Sequence, residues 1–227
     1  MSHKTKISLI GYGKMGQEID ALCRESEKFE VVSISYKNKD ANKTTGLDLK
    51  GIAKADIAID FTSKDAIIKN IEAVAKLGKN LVVGTTGWYD QLDTVKKLVE
   101  KHKIGLIYAP NFSIGANIFF KIADFVAKLT EKFHDYDIYG LEIHHKAKLD
   151  SPSGTALLIS EKIPGLKFAS IRAGRNPGFH ELTFDSPADG ITLSHQAYNR
   201  TGFAKGALVA AEFIKNKKGI YSFEDIL

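Results

Sequence analysis

The stretch Ile7-Ser8-Leu9-Ile10-Gly11-Tyr12-Gly13-Lys14-Met15-Gly16 decides how this chain folds. A short apolar run enters a turn whose glycines follow the spacing G-x-G-x-x-G, and a helical pattern runs from Gln17 to about Arg24. Strand, glycine turn and helix in that order are the context this motif needs to hold a dinucleotide. Gly11 permits the tight turn, Gly13 lets a pyrophosphate approach the backbone, and Gly16 allows the helix to pack closely on the strand. A purely structural turn has the same outline, so the flanking segments decide between them.

Outward from this unit, strands and helices alternate. Phe29 to Tyr36 reads as a strand, Lys37 to Lys50 as a polar stretch with a turn at Gly46, and Ile57 to Phe61 as a buried strand. A helix from about Ser63 carries Ile67, Ile68, Ile71, Val74 and Ala75 on one face. A strand at Leu81 to Val83, a helix from Gln91 to His102 and a strand at Ile104 to Tyr108 complete the series. Such alternation predicts a parallel sheet with right-handed crossovers, an α/β fold of Rossmann type. Two more turns close strands where such sheets bind ligands: Gly84-Thr85-Thr86-Gly87 and Ala109-Pro110-Asn111-Phe112-Ser113. Three such turns in sequence predict one shared cofactor crevice.

The pattern then changes. All five prolines lie between Pro110 and Pro187. Ile114 to Glu131 reads as a long helix with Ile118, Ile122, Phe125, Val126 and Leu129 on its apolar face. Strands follow at Asp137 to Ile143, Phe168 to Arg172, Phe179 to Phe184 and Ile191 to Ala197, an α+β region with a mostly antiparallel or mixed sheet. A last helix, about Phe203 to Lys215, is expected to return to the first domain. The expected domains are 1–112 with 199–227 for the dinucleotide, and 113–198 for substrate and oligomerisation.

Length and composition agree with this reading. The 227 residues suit one large domain or two modest ones, and 44% hydrophobic with 26% charged residues is ordinary for a globular chain. The net charge is +5 and the pI near 9.0, but the lysines are scattered and the aromatics sit in apolar runs. Anionic small ligands fit that pattern better than nucleic acid. Cys23 is the single cysteine, so no intrachain disulfide forms and a reducing compartment is allowed. No apolar run reaches the length of a signal peptide or membrane span, so a soluble, cytoplasmic protein is expected.

Chemistry concentrates in Glu142-Ile-His-His-Lys-Ala-Lys-Leu-Asp-Ser-Pro-Ser-Gly-Thr-Ala156. Ser151 reads as an N-cap and Pro152 as the first helical residue, which would turn the N–H groups of Ser153, Gly154 and Thr155 outward toward an anion. Acid/base groups beside an anion-binding turn describe a site for a small carboxylate- or phosphate-bearing substrate.

This stretch, with Gly-Thr-Thr-Gly and Ala-Pro-Asn-Phe-Ser-Ile-Gly in the same order, resembles the 4-hydroxy-tetrahydrodipicolinate (dihydrodipicolinate) reductase family over essentially the whole chain. The resembling residues are His144, His145, Lys148, Asp150, Ser151 and Pro152 to Ala156; Ala147 stands where some members carry another histidine. The resemblance implies a Rossmann-type cofactor domain and a second α+β domain with an open mixed sheet. It further implies a homotetramer commonly built through that sheet, reduction of a cyclic imine dicarboxylate by NADH or NADPH with loss of water, and no metal.

Within that chemistry Lys148 is the expected proton donor and stabiliser of developing charge, His144 the general acid/base and His145 a substrate contact. Gly154 and Thr155 would hold a substrate carboxylate. Gly11, Tyr12, Gly13, Lys14, Met15, Gly16, Tyr36, Lys37, Gly84, Thr85, Thr86, Ala109, Pro110, Asn111 and Phe112 are the expected cofactor contacts. Glu142, His144 and His145 lack the helical i, i+4 pair of zinc hydrolases, so no metal is expected. His180 and His195 read as packed or solvated strand residues, and Arg172 most simply as a surface charge, although Arg172 to Gly174 could face the ligand cleft. The acid that normally follows the glycines by about 20 residues in NAD-specific domains is missing. Lys37 and Lys39 stand there instead, so NADPH is expected to serve at least as well as NADH. Two other readings share these motifs: another NAD(P)-dependent reductase of a small carboxylate, and a non-catalytic NAD(P)H-sensing module.

Overall fold

The computed structural model describes residues 4–36 and 46–227. Along the chain run β1 (Thr5–Ile10), α1 (Lys14–Arg24), β2 (Phe29–Ser35), α2 (Leu49–Lys54), β3 (Ile57–Asp60), α3 (Lys64–Lys76), β4 (Asn80–Val83), α4 (Leu92–His102) and β5 (Gly105–Tyr108). Then come α5 (Ile114–Thr130), β6 (Asp137–His144), α6 (Gly154–Lys162), β7 (Lys167–Arg172), β8 (Phe179–Asp185), β9 (Gly190–Gln196), α7 (Thr201–Ile214) and β10 (Gly219–Ser222). Two compact units result, Met1–Ser113 with Phe203–Leu227, and Ile114–Gly202. Among the described residues no helix is long and apolar enough to cross a membrane.

The first unit is a parallel sheet in the order β10-β5-β4-β3-β1-β2. Every residue of β3 and β4 is buried, as apolar strands covered on both faces should be. Ile67, Ile71 and Val74 of α3 and Val95 and Val99 of α4 pack with Ile10, Ala58, Leu81, Val83 and Leu106. The parallel direction brings the carboxyl ends of β1, β3 and β4 to one edge, which sets their three following turns side by side.

Local boundaries differ from the sequence expectation in instructive ways. α1 begins at Lys14, with Gly13 as its N-cap, so it takes in Gly16, whose close packing on the turn outweighs its low helix propensity. The short α2 lies in a stretch read as polar; six residues are too few to show a helical period, and its signal is the Asp48 cap, which accepts the Gly51 N–H at 2.9 Å. β10 was not expected either. Its side chains are all half-buried, and its place depends on Asn80, whose amide reaches the carbonyls of Ile214, Lys215 and Lys217 at 2.6, 3.1 and 3.2 Å.

The second unit is a mixed sheet in the order β7-β6-β8-β9, with β6–β7 parallel and the other two pairs antiparallel. α5 and α6 supply Phe119, Ala123 and Ile159 to a core with Leu182 and Phe184. Here the expected apolar face of α5 is corrected. Ile118, Ile122, Phe125 and Leu129 are exposed, and the buried side is Ala116, Asn117, Phe119, Ala123 and Thr130. The helix is apolar almost all round, so periodicity offers two stripes, and the one with smaller residues packs more closely on its neighbours.

Candidate active site

In the first unit a pocket of about 450 Å³ is lined by Gly13, Lys14, Met15, Phe61, Thr62, Lys64, Gly84, Thr85 and Thr86. Gly11 has φ +92°, and a Cβ there would lie 2.4 Å from the Phe61 carbonyl oxygen, so the turn requires glycine on both counts. At Gly13 a Cβ would meet nothing within 4 Å, which leaves open space beside the start of α1. That helix has no side-chain hydrogen bond at its N-cap and no acid in its first turn, so its N-terminus suits an anionic diphosphate. The residues present therefore fit a dinucleotide.

The pocket wall is held by a carboxylate that sequence reading passed over. Asp60 is fully buried, and its Oδ1 accepts from the Thr62 N–H (2.9 Å), the Thr62 hydroxyl (2.7 Å) and the Thr85 hydroxyl (3.0 Å). Its Oδ2 accepts from Asn70 at 2.8 Å. Burial raises the Asp60 pKa while those hydrogen bonds oppose the rise. Asp60 thus ties the turn after β3 to the turn after β4.

The other expected cofactor residues lie elsewhere. Ala109, Pro110, Asn111 and Phe112 are not in this pocket's wall; Phe112 is a core residue, its ring 5.9 Å from Phe61 and 5.5 Å from Phe223. Asn111 uses its Oδ1 to accept the Ser113 N–H at 2.8 Å. Tyr36 is exposed with its ring 6.2 Å from that of Tyr12, whose hydroxyl donates to Asp20 at 2.5 Å. Lys37 and Lys39 lie outside the described residues.

In the second unit, strand register assembles the polar groups. Glu142 pairs with Ser170 on β7 and with His180 on β8, and His180 pairs with His195 on β9, so all four share one face. The next row on that face is Phe168, Gly140, Leu182 and Leu193, an apolar floor. Glu142 is fully buried. Its Oε1 accepts from the Ser153 N–H (2.9 Å), the Ser170 hydroxyl (2.7 Å) and the Arg172 guanidinium (2.7 Å). Burial works to raise the Glu142 pKa, but hydrogen bonds from Ser153, Arg172 and Ser170 outweigh it and bring it to about 2. Burial lowers the pKa of His144, and lowers that of His180 to about 4, so both imidazoles are neutral at pH 7.

Arg172 is therefore not the surface charge that its sequence context most simply suggests, and His180 is packed, as expected, but against Glu142. A carboxylate oxygen and two ring nitrogens of Glu142, His144 and His180 come within 4.8 Å of one another, a metal-like donor set that linear spacing hides. The guanidinium at 2.7 Å already neutralises that carboxylate, so a cation placed there would meet a like charge.

β6 ends at His144, which frees His145 from strand alternation; His145 is half-buried in the turn, where its carbonyl accepts the Lys148 N–H at 3.0 Å. The expected helix start is corrected. Ser151–Pro152 is a cis bond, Ser153 is the N-cap accepting the Ala156 N–H at 3.2 Å, and α6 begins at Gly154. The Ser153 N–H points inward to Glu142 rather than out to a ligand. Lys148 meets Asp150 at 2.8 and 2.9 Å, and the Asp150 Oδ2 also accepts the Gly154 N–H at 3.3 Å. Thr155 follows in the first turn of α6, half-buried.

Comparison with known proteins fits this geometry. Residues 5–112 match the family model described as "Dihydrodipicolinate reductase, N-terminus" and residues 115–227 the one described as "Dihydrodipicolinate reductase, C-terminus". A 4-hydroxy-tetrahydrodipicolinate reductase of Christiangramia forsetii is 36% identical, with 97% of each chain covered. The protein of that name in Methanocaldococcus jannaschii is 31% identical, covering 98% of this chain and 97% of its own. The solved dihydrodipicolinate reductase of Paenisporosarcina sp. TG-14, with dipicolinate bound, gives a TM-score of 0.83 at 26% identity, over 99% of this chain and 100% of that one.

Proposed function

This chain belongs to the dihydrodipicolinate reductase family, and from that premise we propose how its residues carry the reaction. It is an NAD(P)H-dependent oxidoreductase that reduces 4-hydroxy-tetrahydrodipicolinate to tetrahydrodipicolinate, with loss of water, in the synthesis of diaminopimelate and lysine. The turn Gly11 to Gly16 and the N-terminus of α1 hold the diphosphate, with Gly84, Thr85 and Thr86 as further contacts in the same pocket. When bound, the reduced nicotinamide supplies a hydride.

The substrate's carboxylates flank its ring nitrogen, so a group that grips one stands close to that nitrogen. Lys148 takes a carboxylate, stabilises the charge that develops at the ring nitrogen and donates the proton that the ring gains; Gly154 and Thr155 hold the same carboxylate at the start of α6; His145 contacts the ring; His144 is the acid/base group. The observation that carries this reading is Asp150, a carboxylate of the chain itself bound by Lys148 and the Gly154 N–H. These donors already select a carboxylate, and the substrate's replaces it.

NADPH serves at least as well as NADH, because no acid follows Ser35 and Tyr36 until Asp40, and Lys37 and Lys39 supply positive charge for a 2′-phosphate. The assembly is a homotetramer in the cytoplasm, where the buried thiol of Cys23 stays reduced. The test is the fall in absorbance of NADH and of NADPH when freshly generated substrate is added. Substrate-dependent oxidation is expected with both; dipicolinate should compete, and pyridine, the same ring without carboxylates, should not. No oxidation with either cofactor would overturn the reading.

A further inference from the structure

The buried cluster behind the site contains two polar atoms that face each other without a partner. Glu142 Oε2 and His144 Nδ1 are both buried and unbonded, 3.6 Å apart. The Ser153 N–H, the Ser170 hydroxyl and the Arg172 guanidinium all go to the other oxygen of Glu142. His180 Nε2 also lies 3.6 Å from Oε2, but it is engaged with the Ser153 hydroxyl at 3.2 Å. His144 Nδ1, which has no other partner among the described residues, is thus a donor available to that oxygen. Leaving an ionised buried acceptor unpaired is costly, and a neutral imidazole has one ring proton to place.

We propose that Glu142 is the positioning residue that sets the tautomer of His144, drawing its proton to Nδ1 and leaving Nε2 as the atom that exchanges a proton during turnover. A separation of 3.6 Å is too long for a hydrogen bond, but bonds of this kind tighten when substrate binds. The Nε2 edge is kept open by Gly178, where a Cβ would lie 3.3 Å from that nitrogen. Arg172, Ser170 and the Ser153 N–H fix the carboxylate itself, so its orientation is set by β7 and by the cap of α6. The charged and titratable groups facing His144 are Glu142 on its own strand, Arg172 from β7, His180 from β8, and Lys148 and Asp150 from the following loop.

This inference rests on His144 as the acid/base group, so its test separates the two. Two-bond proton–nitrogen spectra of the full-length protein, labelled with 15N-histidine and assigned by the signals lost in His144→Gln, report the tautomer independently of activity. The expected result is the Nδ1–H form, sharpened by dipicolinate. In Glu142→Gln the carboxamide offers a donor to Nδ1, so the ring should switch to the Nε2–H form and kcat should fall at least tenfold with the KM for NADPH unchanged. Loss of the negative charge should also move the limb of the pH profile that reports His144 to lower pH; Glu142→Asp keeps the charge and should restore that limb. An Nε2–H tautomer in the wild-type protein overturns the proposal even if Glu142→Gln does not fold, as does an unchanged tautomer in that variant. An Nδ1–H tautomer together with a fully active His144→Gln would retire the acid/base role and leave the tautomer assignment standing.

Discussion

Lys148 has a side chain a quarter exposed, and its partner Asp150 is more exposed still, so their ion pair contributes little to stability. Its proposed value is in catalysis, where the ammonium would meet charge that develops only as the ring accepts electrons. Lys148→Ala should lower kcat by about 10²–10⁴-fold while leaving NADPH affinity nearly intact, and Lys146→Ala, on an exposed side chain, should do far less. Steady-state kinetics with both variants checks this; wild-type turnover in Lys148→Ala sinks the assignment. At the cofactor, Lys37→Glu should weaken NADPH more than tenfold and spare NADH, since only the 2′-phosphate senses the reversed charge. Equal losses for both would remove Lys37 from that role. As a candidate, Lys148 was legible because it sits in a contiguous motif, and Lys37 because it stands where an acid is missing after the second strand. Arg172 and His180 were not. They reach Glu142 only through strand pairing, and no local spacing encodes which residues a sheet places on one row.

Among the elements, the strands and helices of the first sheet announced themselves by apolar runs and helical periods, whereas β10 had no such signal. Its position is set by its ladder with β5 and by one buried side chain on β4. Asn80 accepts the Gly105 N–H at 2.7 Å while its amide caps the chain leaving α7, so it joins β4, β5 and the return of the chain. Asn80→Ala strands the buried Gly105 N–H and loosens β10, and should cost about 2–3 kcal/mol. A urea titration would read this as a lower midpoint with an unchanged slope. An unchanged midpoint would mean that water replaces the side chain. The α6 cap was misread for a related reason. Both Ser151 and Ser153 are good caps by composition, and the choice falls to Ser153 because its N–H and hydroxyl have buried partners in Glu142 and His180.

At the scale of the molecule, the second unit exposes two apolar surfaces. The face of the sheet opposite Glu142 carries Ile171, Ile143 and Phe179 in one row across three strands, and Tyr139 and Ile171 are 48% and 43% exposed. On α5, Ile118, Ile122, Phe125 and Leu129 form an exposed stripe. Contiguous apolar surface of this kind marks an interface. A sheet face suits a second sheet face, since flat rows of alternating side chains interdigitate, and a two-fold axis through such a face places each row against itself. With a second two-fold contact at the stripe on α5 four copies close, and light scattering should give about four times the 25.0 kDa of the chain. Ile171→Asp places a carboxylate in the middle of the row and should reduce that mass, because each copy would then bury a like charge against its partner. A wild-type mass of one chain would end the tetramer proposal. A tetramer that survives Ile171→Asp but dissociates in Phe125→Asp would move the interface from the sheet face to the stripe on α5.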